Sequence, residues 1–159
     1  MARARVITVS DGVAAGTRTD ASGAALVEML RAAGFEVGVP TVVPDERDRI
    51  GEAIVGAITD GAGLVVTTGG TGLGPRDVTP QATAALIDYE VAGLGEVMRG
   101  AGLKSTPRAA LSRSLAGVRG GALILNLPGS RSGATESLES VMPVLAHALQ
   151  LLRGDTKHR

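Results

Sequence analysis

Cysteine is absent from this chain of 159 residues. Disulfides, thiolate metal sites and cysteine nucleophiles are therefore excluded. Aromatic residues are nearly absent as well: Phe35 and Tyr89 are the whole complement, and there is no tryptophan. The core must be built from Val, Leu, Ile and Ala, and the stacking platforms that single-stranded nucleic acid needs are missing. An excess of either charge is lacking too, since 16 basic residues face 16 acidic ones. A neutral chain has no overall pull on nucleic acid or on an acidic membrane surface, so any anion must be caught locally. No apolar run reaches the length of a membrane span. The opening MARARVITVSDG has too few apolar residues for a signal peptide. The expected location is the cytoplasm, with no nucleic-acid or membrane partner.

What the chain has in quantity is glycine, 23 residues or about twice the usual share. The glycines are dispersed, so they read as turns and close-approach positions rather than as a linker. The length suits one domain. We expect it to span residues 1–153, with 154–159 as a flexible tail.

Apolar patterning alternates between strand and helix. Ala4–Ser10 reads as a buried strand, followed by a polar loop over Asp11–Thr19. Asp20 or Ser22 caps a helix carrying Ala25, Leu26, Met29, Leu30 and Ala33, which Gly34 stops. Phe35–Val43 reads as a second strand, broken by Pro44-Asp45-Glu46. Arg49–Asp60 has one apolar helical face, and Leu64–Thr68 is a short strand. Thr79 as N-cap and Pro80 at the first helical position start a helix running toward Asp88. Leu94–Ala101 reads as a short helix and Ala122–Leu127 as a strand. Thr135–Leu152 reads as a last helix that Pro143 kinks or divides. His147 on it is expected to be packed or half-exposed, and His158 in the tail to be inert. Strands alternating with helices predict an α/β fold, a mostly parallel sheet with helices on both faces.

In such sheets ligands bind at the carboxyl ends of the strands. Four segments follow strands here: Ser10-Asp11, Pro44-Asp45, Gly69-Gly70-Thr71-Gly72 and Pro128-Gly129-Ser130. The glycine segment lets backbone N–H groups approach a phosphate and form an anion-binding nest. Thr68, Thr71 and Thr79 add hydroxyls, and Arg76 offers a bidentate cation. Asp45 and Asp77 would repel a phosphate unless a cation lay between them. Magnesium takes carboxylate and phosphate oxygens together, so the pattern points to metal-assisted phosphoryl or nucleotidyl transfer. Each residue alone has a plainer explanation. Asp45 would be a turn residue after Pro44, Asp77 a cap or a partner of Arg76, Arg76 a solvated charge, and Pro128-Gly129 a turn. Asp20 and Asp48 read as helix-start residues. The placement of the others at strand ends shifts the balance toward a site.

The string TGGTGLGPRDVTP over Thr68–Pro80 resembles the signature of the molybdopterin adenylyltransferases of molybdenum cofactor biosynthesis, the MogA/MoaB type also found as the gephyrin G domain. Further matches are VSDG with a later D and SG across Val9–Gly23, Pro44-Asp45, LSR at Leu111–Arg113 and LILNLPGS at Leu123–Ser130. They keep the family's order over nearly the whole chain. The resemblance implies a three-layer α/β/α sandwich, a homotrimer, and transfer of an adenylyl group from ATP to molybdopterin with magnesium and release of pyrophosphate. It places the two functional aspartates on Asp45 and Asp77, as catalytic residues and metal ligands. It places the phosphate-hugging loop on Thr68, Gly69, Gly70, Thr71 and Gly72. It aligns Ser10, Asp11, Met98, Arg99, Ser112, Arg113 and Ser130 with positions around the pocket. Many relatives carry arginine where this chain has Gly12, which loses an anion contact or leaves it to Arg18. The alternative is a carrier of the same fold that binds molybdopterin without chemistry. Other enzymes of molybdenum cofactor biosynthesis are expected partners. CinA-like domains share the fold and act on nucleotide pyrophosphates, but Thr71 and Arg76 depart from their loop.

Overall fold

The computed structural model describes residues 2–155. In chain order the elements are β1 (Arg3–Val9), α1 (Asp11–Ala14), α2 (Ala21–Ala32), β2 (Glu36–Val37), β3 (Thr41–Val43), α3 (Arg47–Thr59) and β4 (Leu64–Thr68). They continue with α4 (Thr79–Ala84), β5 (Tyr89–Glu90), α5 (Ala92–Leu103), a 3-10 turn (Pro107–Leu111), β6 (Ala116–Arg119), β7 (Ala122–Leu127) and α6 (Arg131–Leu152). The sheet has the order β2-β1-β4-β7-β6-β5, with β3 also paired to β1. β1, β2, β3, β4 and β7 run parallel, while β6 is antiparallel to both its neighbours, β7 and β5.

Strand alternation sorts the aliphatic side chains into two cores. Leu64, Val66, Leu123, Leu125 and Leu127 face α2, α5 and α6, packing on Leu26, Leu30, Met98, Leu138 and Val141. Val65, Ile124, Ile7 and Val9 face the other way, onto Ile50, Ile54 and Ala82 of α3 and α4. Helices thus cover both faces of a mostly parallel sheet, as the patterning predicts, and make the three-layer α/β/α sandwich that the resemblance implies. Each fully buried Leu or Ile contributes about 1.5–3 kcal/mol, so the core holds without aromatics. Tyr89 is 56% exposed and Phe35 only packs against the core's edge.

Several local expectations need correcting. The Asp11–Thr19 loop begins with one helical turn, α1, capped by the Ser10 hydroxyl accepting from the Val13 N–H. The strand expected over Phe35–Val43 is two strands. β1 pairs Arg3 with Glu36 but Ile7 with Thr41, so one extra residue is accommodated around Gly38-Val39-Pro40. Pro40 has no N–H to give a ladder. Thr79 is not an N-cap, because Val78 holds that place and the Thr79 hydroxyl donates to the Gly69 carbonyl. α4 stops at Ala84 rather than near Asp88. α6 starts earlier than expected, at Arg131, with Ser130 as N-cap accepting from the Gly133 N–H. It runs through Pro143 as one helix. Pro143 and Glu139, whose carbonyl the proline leaves without its helical donor, both lie on the exposed face. Asp20 caps α2, accepting from the Gly23 N–H at 2.9 Å, and His147 is exposed on α6. Of the tail expected over 154–159, residues 156–159 lie outside the described residues, His158 among them.

Candidate functional site

Because β1, β3, β4 and β7 are parallel, the segments that follow them share one rim. There the glycine loop turns away from β4. Gly69 and Gly70 have φ of +105° and +69°, in the half of backbone space that side chains disfavour. A Cβ on Gly69 would overlap the Val9 carbonyl oxygen, and one on Gly70 would overlap the Thr79 hydroxyl. On the other side, the Gly69 N–H donates to the Leu127 carbonyl at 3.0 Å. The Thr68 hydroxyl donates to the Pro128 carbonyl at 2.7 Å and the Thr79 hydroxyl to the Gly69 carbonyl at 2.9 Å. The loop's far limb is held by Arg113, whose Nε donates to the Gly72 carbonyl at 2.9 Å and whose Nη2 donates to the Asp77 carbonyl at 2.7 Å. The Asp77 carboxylate accepts from the Gly74 N–H at 2.9 Å, closing the turn between them.

Asp45 and Asp11 clasp one another. The Asp11 N–H donates to Asp45 Oδ2 at 2.9 Å, and the Asp45 N–H donates to Asp11 Oδ1 at 3.0 Å. Arg76 caps the clasp with a bidentate grip on the Asp11 carboxylate, from Nε at 3.0 Å and Nη2 at 2.9 Å. That hydrogen bond, with the Asp45 N–H, holds Asp11 below the usual carboxylate range. Asp45 moves the other way. Burial pushes its pKa up, and the negative charges of Asp11 and Asp77 add to the rise, against the Asp11 N–H and Arg76 that lower it. Burial of Asp45 and the Arg76 grip on Asp11 thus move the two pKa values of one clasp in opposite directions, an arrangement common where chemistry is done.

Two adjoining cavities open on this rim. The smaller, about 390 Å³, is lined by Ser10, Asp45, Thr68, Gly69, Gly70 and Asp77 among the residues singled out from the sequence. The larger, about 550 Å³, is lined by Thr71, Gly72, Met98, Ser112 and Pro128. Gly129 and Ser130 line both and form the ridge between them. Asp11, Arg76, Thr79 and Arg113 line neither, being engaged in the clasp and the loop anchors. The smaller cavity also takes in Arg18 and Asp20, from the loop after β1 that the strand-end rule covers. The larger one takes in Arg99, Ser105, Arg108 and Glu136, brought by α5, the 3-10 turn and α6. No strand end and no local motif announces Ser105, Arg108 or Glu136. Ser112 reaches the rim because β6 is antiparallel, so its start, not its end, lies there.

Comparison with known proteins bears on this rim. Residues 5–147 match the family model described as a probable molybdopterin binding domain. The chain is 40% identical over 96% of its length to a molybdenum cofactor biosynthesis bifunctional protein of Chlorobaculum tepidum. It spans about half (49%) of that relative. It is 38% identical over 94% of its length, and over 87% of the relative, to a molybdopterin adenylyltransferase of Helicobacter pylori strain J99. Among solved structures, the molybdopterin biosynthesis enzyme MoaB of Thermus thermophilus superposes with a TM-score of 0.90 at 53% identity, covering 97% of this chain and 98% of that one. The match of fold and the match of sequence both run across every strand end that builds the two cavities, and the chain belongs to the probable molybdopterin-binding domain family of molybdenum cofactor biosynthesis.

Proposed function

We propose that the chain transfers an adenylyl group from ATP to molybdopterin and releases pyrophosphate. The observation that carries this is the pair Asp45 and Asp77 lining one small cavity beside the glycine loop, next to a second cavity across the Gly129-Ser130 ridge. A two-substrate transfer needs two adjoining sites, and a metal-nucleotide needs carboxylates beside a phosphate cradle. In the reaction an oxygen of the molybdopterin phosphate bonds to the α-phosphorus of ATP, and the bond from that phosphorus to the bridging oxygen of pyrophosphate breaks. Positioning and charge neutralisation supply most of the catalysis in such transfers. The loop orients the phosphates, and its anchors Arg113 and Thr79 keep that orientation rigid.

Magnesium fits the donor set. Among the described residues no group of three or more His, Asp or Glu side chains is placed to form a closed metal cage. Magnesium is ordinarily held by one or two carboxylates with substrate phosphates completing its shell, and Asp45 and Asp77 would be those carboxylates. Bound there, it would neutralise phosphate charge.

One domain over residues 1–153 with a tail over 154–159, a cytoplasmic location, and association with other enzymes of molybdenum cofactor biosynthesis go with this reading. So does a homotrimer, for which Leu73, Leu103 and Leu111, each at least half exposed, offer apolar surface. The mass in solution tests it, and a monomer at working concentration would overturn it. For the activity, purified protein mixed with molybdopterin, ATP and magnesium is expected to release pyrophosphate. Binding of molybdopterin with no pyrophosphate released would instead identify a carrier.

A further inference from the structure

The smaller cavity holds an unbalanced set of charges. Its lining includes three carboxylates, Asp20, Asp45 and Asp77. Asp20 is occupied, accepting from the Thr8 hydroxyl at 2.8 Å and from the Gly23 N–H at 2.9 Å. Polyphosphate entering this space meets negative charge on one wall and needs positive charge on another. Two basic side chains line the cavity, Arg18 from the stretch between α1 and α2, and Arg131 at the start of α6. The ion pairs among the described residues are Arg3 with Glu36 and Arg76 with Asp11, so neither cavity arginine is committed to a carboxylate.

Arg18 is also held in a particular way. A Cβ added to Gly12 would lie 2.6 Å from Arg18 Cδ and 2.9 Å from Arg18 Cγ. The aliphatic stem of Arg18 therefore lies directly on the bare backbone of Gly12. Gly12 sits in α1 and is not among the glycines with positive φ. Its backbone does not require glycine, and glycine in a helix is less favourable than alanine. What glycine supplies there is space for the Arg18 stem.

We propose that Arg18 and Arg131 together bind the terminal phosphates of the nucleotide, with Gly12 as the seat that sets Arg18. The proposal rests on the adenylyl-transfer reading above and adds residues to it. Guanidinium groups pair with phosphate oxygens through two parallel hydrogen bonds. Two such groups from separate elements fit the two phosphoryl groups of pyrophosphate. When the bond to the α-phosphorus breaks, the departing pyrophosphate gains negative charge, which these two arginines neutralise in the cavity they share with Asp45 and Asp77.

The test is calorimetric titration of the protein with inorganic pyrophosphate and magnesium. Arg18→Ala and Arg131→Ala are each expected to weaken binding about ten-fold or more, with Arg18→Lys between wild type and Arg18→Ala. Gly12→Val keeps every charge but removes the seat, and is expected to weaken binding as Arg18→Ala does. Unfolding midpoints within a few degrees of wild type confirm that the fold is kept. In the pyrophosphate-release assay Arg18→Ala is expected to raise KM for ATP and leave KM for molybdopterin unchanged. Wild-type pyrophosphate affinity in Arg18→Ala, in Arg131→Ala or in a folded Gly12→Val protein overturns the proposal. The two readings fail separately. A wild-type protein that binds pyrophosphate through these arginines but releases none from ATP keeps the anion site and loses the adenylyl transfer. One that releases pyrophosphate with Arg18→Ala unaffected does the reverse.

Discussion

Gly69→Ala is expected to lower the free energy of unfolding by about 3 kcal/mol or more and to abolish ligand binding at the rim. Two separate costs meet at this residue. Its φ of +105° lies beyond the left-handed helical well that non-glycine residues visit, which costs about 1–3 kcal/mol. Its Cβ would also run into the carbonyl oxygen of Val9, which belongs to the backbone of β1. That strand is held by β4 on one side and by β2 and β3 on the other, so it cannot yield without disturbing the centre of the sheet. Overpacking against such a neighbour costs roughly another 1–3 kcal/mol. Gly16 provides the comparison. Its φ is +76° but its Cβ would meet nothing within 4 Å, so Gly16→Ala carries the conformational cost alone, about 1–2 kcal/mol. Urea unfolding of the two variants beside wild type measures the difference. Equal losses in both would show that the Val9 carbonyl moves aside freely and that the loop does not depend on its close approach to β1.

That close approach also marks where reading the sequence succeeds. The segment over Thr67–Thr79 stands out because glycine repeats and strand-end placement are local facts, visible a few residues at a time. The two cores are visible for the same reason: Leu123, Leu125 and Leu127 alternate with Ile124, and Ile50, Ile54 and Ala57 recur at helical spacing. β6 escapes because it has four residues, two of them small, and no apolar run. A signal was nonetheless present. Arg119 pairs with Ala122, so Gly120-Gly121, at φ +53° and +82°, form a two-residue hairpin turn of the kind a Gly-Gly pair favours. Recognising it would have placed the antiparallel strand, and with it the arrival of Ser112 and Arg113 at the rim. The partners of Arg76 and Thr79 are different in kind. Arg76 grips Asp11 and Thr79 grips the Gly69 carbonyl across the fold, and local sequence favours nearer partners, Asp77 for the first and a helix cap for the second. Long-range polar pairing has no period in the sequence, so only the folded chain displays it.

Asp45→Asn and Asp77→Asn are each expected to lower the rate of pyrophosphate release by about 10²–10³-fold, the usual cost of removing one preorganised charge from a transfer site. Loss of rate alone would not separate a damaged site from a damaged fold, and Asp45 supplies the means to do so. Its pKa in the folded protein is raised by burial and by the charges of Asp11 and Asp77, while in the unfolded chain it has the ordinary aspartate value. Whatever stability it contributes is therefore complete below that ordinary value and is lost as pH rises through the higher folded one. At neutral pH the ionised carboxylate works against the fold. An asparagine keeps an oxygen to accept from the Asp11 N–H and removes the charge. Asp45→Asn without metal or nucleotide is thus expected to melt at or above the wild-type temperature at neutral pH, and the gap is expected to close as the wild-type carboxylate protonates in acid. Asp77→Asn likewise keeps an acceptor for the Gly74 N–H. Activity lost together with unchanged or raised stability would mark Asp45 as a residue kept for function at a cost to the fold, and full activity in both variants would remove the carboxylate pair from the reaction.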